Sequence, residues 1–321
     1  MAKYKSFEEF KEYIDKLSEK QSAEDLLVSY NKEVKELSET EIENNYFMVT
    51  LLKACICMEC KRYDECVDLI KEVVMKGYAC PLNFKMFKPI YKKFEECSII
   101  DLNNALLEEL RENSKAIYQI HLPKNYNPRK KYPLFLALHG DGLCNIKEFS
   151  QYWKPDVFVS KDYIFAYLQA SHLVCQDGHG WVYDIKQARK DIKKLYRDII
   201  SEYPIDEEQV LIGGYSGGAI ASIDAVMCEC IPAKGFICLC PGEKTDAFTY
   251  ENVKKAFQKG IRGIFMEGVK DMPIQDEEEM IKTFDEVGLK YEFYVNEGVG
   301  HEIPDDFNEN LQKALNFINI K

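Results

Sequence analysis

The segment Gly213-Gly214-Tyr215-Ser216-Gly217-Gly218 sets a hydroxyl in a G-x-S-x-G pattern, directly after the apolar run 210–212 and before the helix-forming stretch 219–227. A serine at a sharp strand-to-helix turn needs neighbours without Cβ atoms, and the helix that follows aims its positive end at the serine oxygen. Such a hydroxyl is a weak nucleophile until a base takes its proton. His301 is the candidate base: it closes Asn296-Glu297-Gly298-Val299-Gly300-His301, where glycines let a loop carry an imidazole back over the strand ends. The candidate acid is Asp271, at the end of Glu267-Gly268-Val269-Lys270-Asp271, with Glu267 and Asp276 as rival carboxylates. A carboxylate there would accept the imidazole Nδ1–H and stabilise the imidazolium. This base works only when neutral, so activity should rise with pH as His301 loses its proton.

A second glycine-rich turn, His139-Gly140-Asp141-Gly142, follows the apolar run 134–138. The backbone N–H groups of Asp141 and Gly217 are the expected donors to an oxyanion. Around them, His139, Gly140, Gly142, Tyr215 and Trp181 are candidate substrate contacts. The stretch 171–181 should lie at the C-terminal end of a strand, as part of an acyl pocket or as an ordinary surface loop.

Placing these residues together takes alternating strands and helices. From about residue 115, short apolar runs at 116–122, 133–138, 163–168, 210–212, 235–239, 263–266 and 291–295 alternate with amphipathic helices such as 184–202. Runs apolar on both faces are those of parallel strands covered on both sides, so a doubly wound sheet is expected.

The first third is helical throughout. Ser6 with Glu9, Ser22 with Asp25 and Ser38 with Glu41 are three capping boxes. Apolar faces follow at helical spacing: Phe7, Phe10, Ile14 and Leu17, then Leu27, Tyr30, Val34 and Leu37. Further helices are expected over about 41–60, 63–76 with Gly77 as C-cap, 82–97 with Pro89 as a kink or break, and 102–113. Ala54 and Tyr63-Asp64-Glu65-Cys66 resemble the packing pattern of a tetratricopeptide-type hairpin; one repeat is visible, and a plain helical bundle is the alternative.

Composition narrows the partners. A net charge of −12 repels phosphate backbones and anionic lipid surfaces, which argues against nucleic acid. No stretch has the length and apolarity of a membrane span or secretory signal, so a cytoplasmic protein with reduced thiols is expected. Of the 12 cysteines, Cys55, Cys57, Cys60 and Cys66 lack a second ligand pair or a nearby histidine, and no metal or cofactor is expected. Cys228 and Cys230 near a helix end, and Cys238 and Cys240 on one face of a strand, read as packing residues away from any base.

HGDG, GGYSGG, EGVKD and GVGH, in that order and on those elements, resemble the α/β-hydrolase superfamily, in particular its carboxylesterase, phospholipase-like and predicted-peptidase branches. Tyr203-Pro204-Ile205-Asp206 before the nucleophile strand, and Trp181, are similar to features of those branches. The resemblance covers about residue 116 to the C-terminus. It implies Ser216 as nucleophile, Asp271 as acid, His301 as base, and Asp141 with Gly217 as oxyanion donors. Two departures stand out. Gly217 occupies a position where many relatives carry methionine or glutamine, and the acidic side chain of Asp141 would oppose a nearby oxyanion if it pointed inward.

The expectation is therefore an all-α helical-hairpin domain over 1–114, followed by an α/β-hydrolase domain over 115–321. This chain would be a serine esterase acting on a small ester or acyl substrate. A peptidase or thioesterase with the same triad is the nearest alternative. A scaffold engaging a protein partner, or self-associating through the helical domain, is the alternative of another class.

Overall fold

The structure is a computed structural model that describes residues 3–271 and 275–319. The chain divides into two compact units, Met1–Glu112 and Asn113–Lys321.

In the first unit the three serine caps form: Ser6, Ser22 and Ser38 accept the N–H of Glu9, Asp25 and Glu41 at 3.3, 3.2 and 3.2 Å. The helices Phe7–Ser18 and Ala23–Glu33 turn Phe10, Ile14, Leu27 and Tyr30 inward. The expected helix over 41–60 is broken at Asn45 into Glu39–Asn44 and Tyr46–Glu59. Pro89, which lacks an N–H, divides the expected 82–97 helix into a 3-10 stretch, Lys85–Ile90, and a short helix, Tyr91–Glu96. The last helix, Ile99–Asn113, begins three residues earlier than its apolar pattern suggested. From it, the buried Asn103 amide satisfies both the N–H and the carbonyl of Cys80, at 2.6 and 3.0 Å.

The second unit is built on strands β1 Ile117–His121, β2 Tyr132–Leu138, β3 Ile164–Gln169, β4 Leu173–Cys175, β5 Gly178–His179, β6 Ile205–Tyr215, β7 Ala233–Leu239, β8 Arg262–Gly268 and β9 Lys290–Asn296. Seven of them form one sheet in the order β1-β3-β2-β6-β7-β8-β9. Only the edge strand β1 runs antiparallel, against β3. Each face carries its own core. Leu134, Leu136, Ile212, Phe236 and Phe265 pack on one side, and Phe135, Leu211, Ile237, Ile264 and Met266 on the other. The alternation follows from the two-residue period of a strand buried on both faces. Among the described residues, no helix is long and apolar enough to cross a membrane.

Candidate active site

Parallel strands deliver their C-terminal ends to one edge of the sheet, and the loops there carry the singled-out residues. β6 ends at Tyr215, and the helix Gly217–Met227 starts two residues later. Ser216 lies between them at φ 52° and ψ −121°, a conformation that costs a non-glycine residue about 1–3 kcal/mol. Two constraints hold it there. Its N–H donates to the Leu239 carbonyl at 2.9 Å, and the helix start packs against the β2 exit. That approach requires Gly218, where a Cβ would stand 2.3 Å from the His139 carbonyl oxygen.

His301 reaches this turn from the loop after β9. Its Nε2 lies 2.9 Å from Ser216 Oγ, and its Nδ1 lies 2.7 Å from Asp271 Oδ2. With Nδ1 donating to the carboxylate, Nε2 is left to accept the serine proton. The loop that carries Asp271 is bound to the His301 loop through Lys270 N–H on the Val299 carbonyl at 2.8 Å, and through Val269 N–H on the Asn296 carbonyl at 3.0 Å. The Tyr215 hydroxyl donates to the His301 carbonyl at 2.5 Å. Tyr215 thus braces the imidazole loop, a role its sequence position did not indicate. Of the rival carboxylates, Glu267 belongs to β8, and the Asp276 side chain lies outside the described residues.

The His139-Gly140-Asp141-Gly142 turn sits beside the serine. The Asp141 carboxylate is turned toward the 181–182 backbone, accepting the N–H of Trp181 at 2.7 Å and of Val182 at 3.0 Å. It packs under Gly217, where a Cβ would meet its Cγ at 2.2 Å. Burial pushes its pKa up to about 6, and the two N–H bonds oppose that rise. Gly217 opens its helix, where an N–H has no intrahelical partner and is left to bind an anion.

His139 and Trp181 are both completely buried, so they hold this turn from behind and do not face a substrate. His139 Nδ1 donates to the Gly140 carbonyl at 2.7 Å, and Nε2 accepts the Ala170 N–H at 3.3 Å. Burial drives its pKa down to about 3, which keeps the ring neutral. Trp181 Nε1 donates to the His139 carbonyl at 3.1 Å. Gly142 is also buried; its N–H donates to the His179 carbonyl at 3.0 Å, and His179 N–H returns a bond to the Cys144 carbonyl at 3.0 Å. The 171–181 stretch therefore contains a small hairpin, β4 with β5, that clamps the glycine-rich turn. As a loose surface loop it would leave those backbone groups unpaired.

One cysteine departs from its expected place. β7 ends at Leu239, and Cys240 follows at φ 51°, packed in the cluster on the sheet face opposite Cys238. Its Sγ, an Asp271 oxygen and a His301 nitrogen lie within 4.8 Å of one another, the one such trio among the described residues. A thiol therefore does stand beside the candidate base. Burial pushes it up and keeps it protonated. Both His301 ring nitrogens are engaged, on Asp271 and on Ser216.

No family model and no curated protein sequence matches the chain. Solved structures do. It is similar to an uncharacterized protein from Bacillus cereus ATCC 10987, with a TM-score of 0.55 and 22% identity over 98% of this chain and 99% of that one. It is similar to esterase PE8, with a TM-score of 0.51 and 16% identity over 64% of this chain and 99% of that one. The propionate-bound esterase Est2 of Thermogutta terrifontis matches with a TM-score of 0.50 and 13% identity over 65% of this chain and 91% of that one. With the mostly parallel sheet, these likenesses establish the α/β-hydrolase fold.

Proposed function

We propose that this chain is a serine hydrolase that cleaves carboxylic esters through an acyl-enzyme on Ser216. The observation that carries the reading is the position of His301, 2.9 Å from Ser216 Oγ and 2.7 Å from Asp271 Oδ2. His301 Nε2 takes the Ser216 proton as Oγ attacks the ester carbonyl. Asp271 stabilises the imidazolium and holds the ring so that Nδ1 keeps its proton. The N–H groups of Asp141 and Gly217 receive the negative charge that builds on the carbonyl oxygen, worth a few kcal/mol where two donors converge (about 2.7–4 for one donor removed). Imidazolium then protonates the leaving alkoxide, and water, activated by the same ring, releases the acid.

A half-buried, fixed Asp141 carboxylate suits this chemistry. Its charge is spent on the Trp181 and Val182 N–H groups, so the turn is stiffened while its own N–H stays available. Esterases PE8 and Est2 share the fold, which favours an ester over a peptide as substrate. Intact mass after fluorophosphonate treatment tests the reading: one adduct on the wild type and none on Ser216→Ala is expected. No adduct on the folded wild type would overturn it. Peptides, thioesters and p-nitrophenyl esters compared side by side then separate esterase from peptidase and thioesterase.

A further inference from the structure

Behind Asp271 lies a buried acidic cluster that the hydrolase reading leaves unused. Glu267, on β8, is 6% exposed, and Glu277, on the helix Gln275–Val287, is 2% exposed. Glu267 Oε2 and Glu277 Oε1 are fully buried and have no hydrogen-bond partner. Glu267 is also hydrogen bonded, carboxyl to carboxyl, to Asp271. Two carboxylates cannot share such a bond unless one is protonated. Asp271 accepts from His301 Nδ1 and keeps its anion there, so the proton belongs to Glu267.

The surroundings agree. The titratable groups facing Glu267 are Asp271 from the following loop, Glu277 from the helix Gln275–Val287, and Cys240 from the end of β7. All are neutral or negative. Burial first, then the bond to Asp271 and the charges of Glu277 and Asp271, push Glu267 up to about 9. Burial and the Asp271 charge push Glu277 up to about 8.

We propose that Glu267, as a neutral carboxylic acid, is a positioning residue: its O–H donates to the Asp271 carboxylate and fixes the oxygen that faces His301. This rests on the hydrolase reading above. Asp271 then has one carboxylate held by side-chain donors on two sides, His301 Nδ1–H and Glu267 O–H. Loss of the Glu267 proton would replace a donor by a buried like charge, push Asp271 off His301 and slow turnover.

The test is kcat and KM for a short-chain p-nitrophenyl ester from pH 6 to pH 10.5, on the full chain and on the variants Glu267→Gln and Glu267→Leu. Fluorophosphonate labelling of Ser216 is followed in the same samples. Wild-type kcat is expected to fall above about pH 9. Glu267→Gln keeps a neutral donor, so its alkaline fall should vanish. Glu267→Leu has none, and its kcat at neutral pH should lie about tenfold or more below that of Glu267→Gln, with KM unchanged. A Glu267→Gln profile that falls like the wild type, with Ser216 labelled in both, overturns the proposal alone. An unlabelled wild type overturns the hydrolase reading and this proposal with it. If the leucine variant does not fold, the pH profile of Glu267→Gln decides by itself.

Discussion

The two halves of the candidate site are built by different forces. The nucleophile half is held by backbone: Ser216 is fixed at φ 52°, Gly218 lies against the His139 carbonyl, and the Asp141 carboxylate is clamped by two backbone N–H groups. The acid–base half is held by side chains, through His301 on Asp271, Tyr215 on the His301 carbonyl, and Glu267 behind Asp271. Close-packed backbone has few ways to relax, whereas a hydrogen-bonded side chain can turn away while the fold stays intact. Changes that disturb the packed backbone of the first half should therefore cost stability and activity together, and changes to the hydrogen-bonded side chains of the second should cost activity without lowering Tm.

The largest effect should come from Ser216→Ala, which removes the proposed nucleophile. Ester hydrolysis should fall by about 10⁴-fold or more with Tm within a few degrees of the wild type. Asp271→Asn sharpens the contrast, because the amide favours the wrong imidazole tautomer. A loss in kcat of about 10³–10⁴ is expected with thermal melting little changed. A large fall in Tm for Asp271→Asn would break the distinction between the halves.

Asp141→Ala should do both kinds of damage. It leaves the Trp181 and Val182 N–H groups without their acceptor, which costs about 1–3 kcal/mol for each unsatisfied buried group. Differential scanning calorimetry should show Tm lower by several degrees, at about 2–4 °C per kcal/mol, alongside reduced kcat. An Asp141→Ala protein that melts like the wild type would mean the turn is held some other way.

A further effect is in stability against pH. Glu267 is raised from 4.5 to about 9 in the folded chain. Below the lower value it is protonated in both states. Between the two values the folded chain keeps a proton that the unfolded chain has released, so wild-type stability declines through this window and levels off above it. Glutamine has no such dependence. The Tm of Glu267→Gln minus that of the wild type should thus grow from pH 4.5 to pH 9, and a constant difference would show that Glu267 does not hold its proton.

Much of the sheet was legible because a strand buried on both faces must be apolar throughout, and six of the expected runs fall within two residues of an observed strand. The run at 210–212 was the exception: β6 begins at Ile205, and the polar side chains of Asp206 to Gln209 hid its first half from an apolar pattern. The three serine caps were legible because a cap acts on its own helix. Glu267 carried a signal that went unread. It shares a strand face with Phe265, and a carboxylate at an inward position of a doubly buried strand needs a partner or a proton.

Other features had no local signature. The β4–β5 clamp pairs residues whose apolar content is ordinary, and its purpose appears only where Gly142 meets His179. Cys240 looked like a strand residue until its positive φ turned it to the other face beside Asp271.

The sequence by itself determined the order of strands and helices, the serine turn, and which loops would carry an acid and a base, because these depend on periodicity, glycine sterics and neighbours along the chain. Only the tertiary structure decided that Ser216, His301 and Asp271 share one chain of hydrogen bonds, which way Asp141 turns, and which carboxyl keeps a proton. Those outcomes depend on distances and burial between residues far apart in sequence, set once the sheet brings its strand ends together.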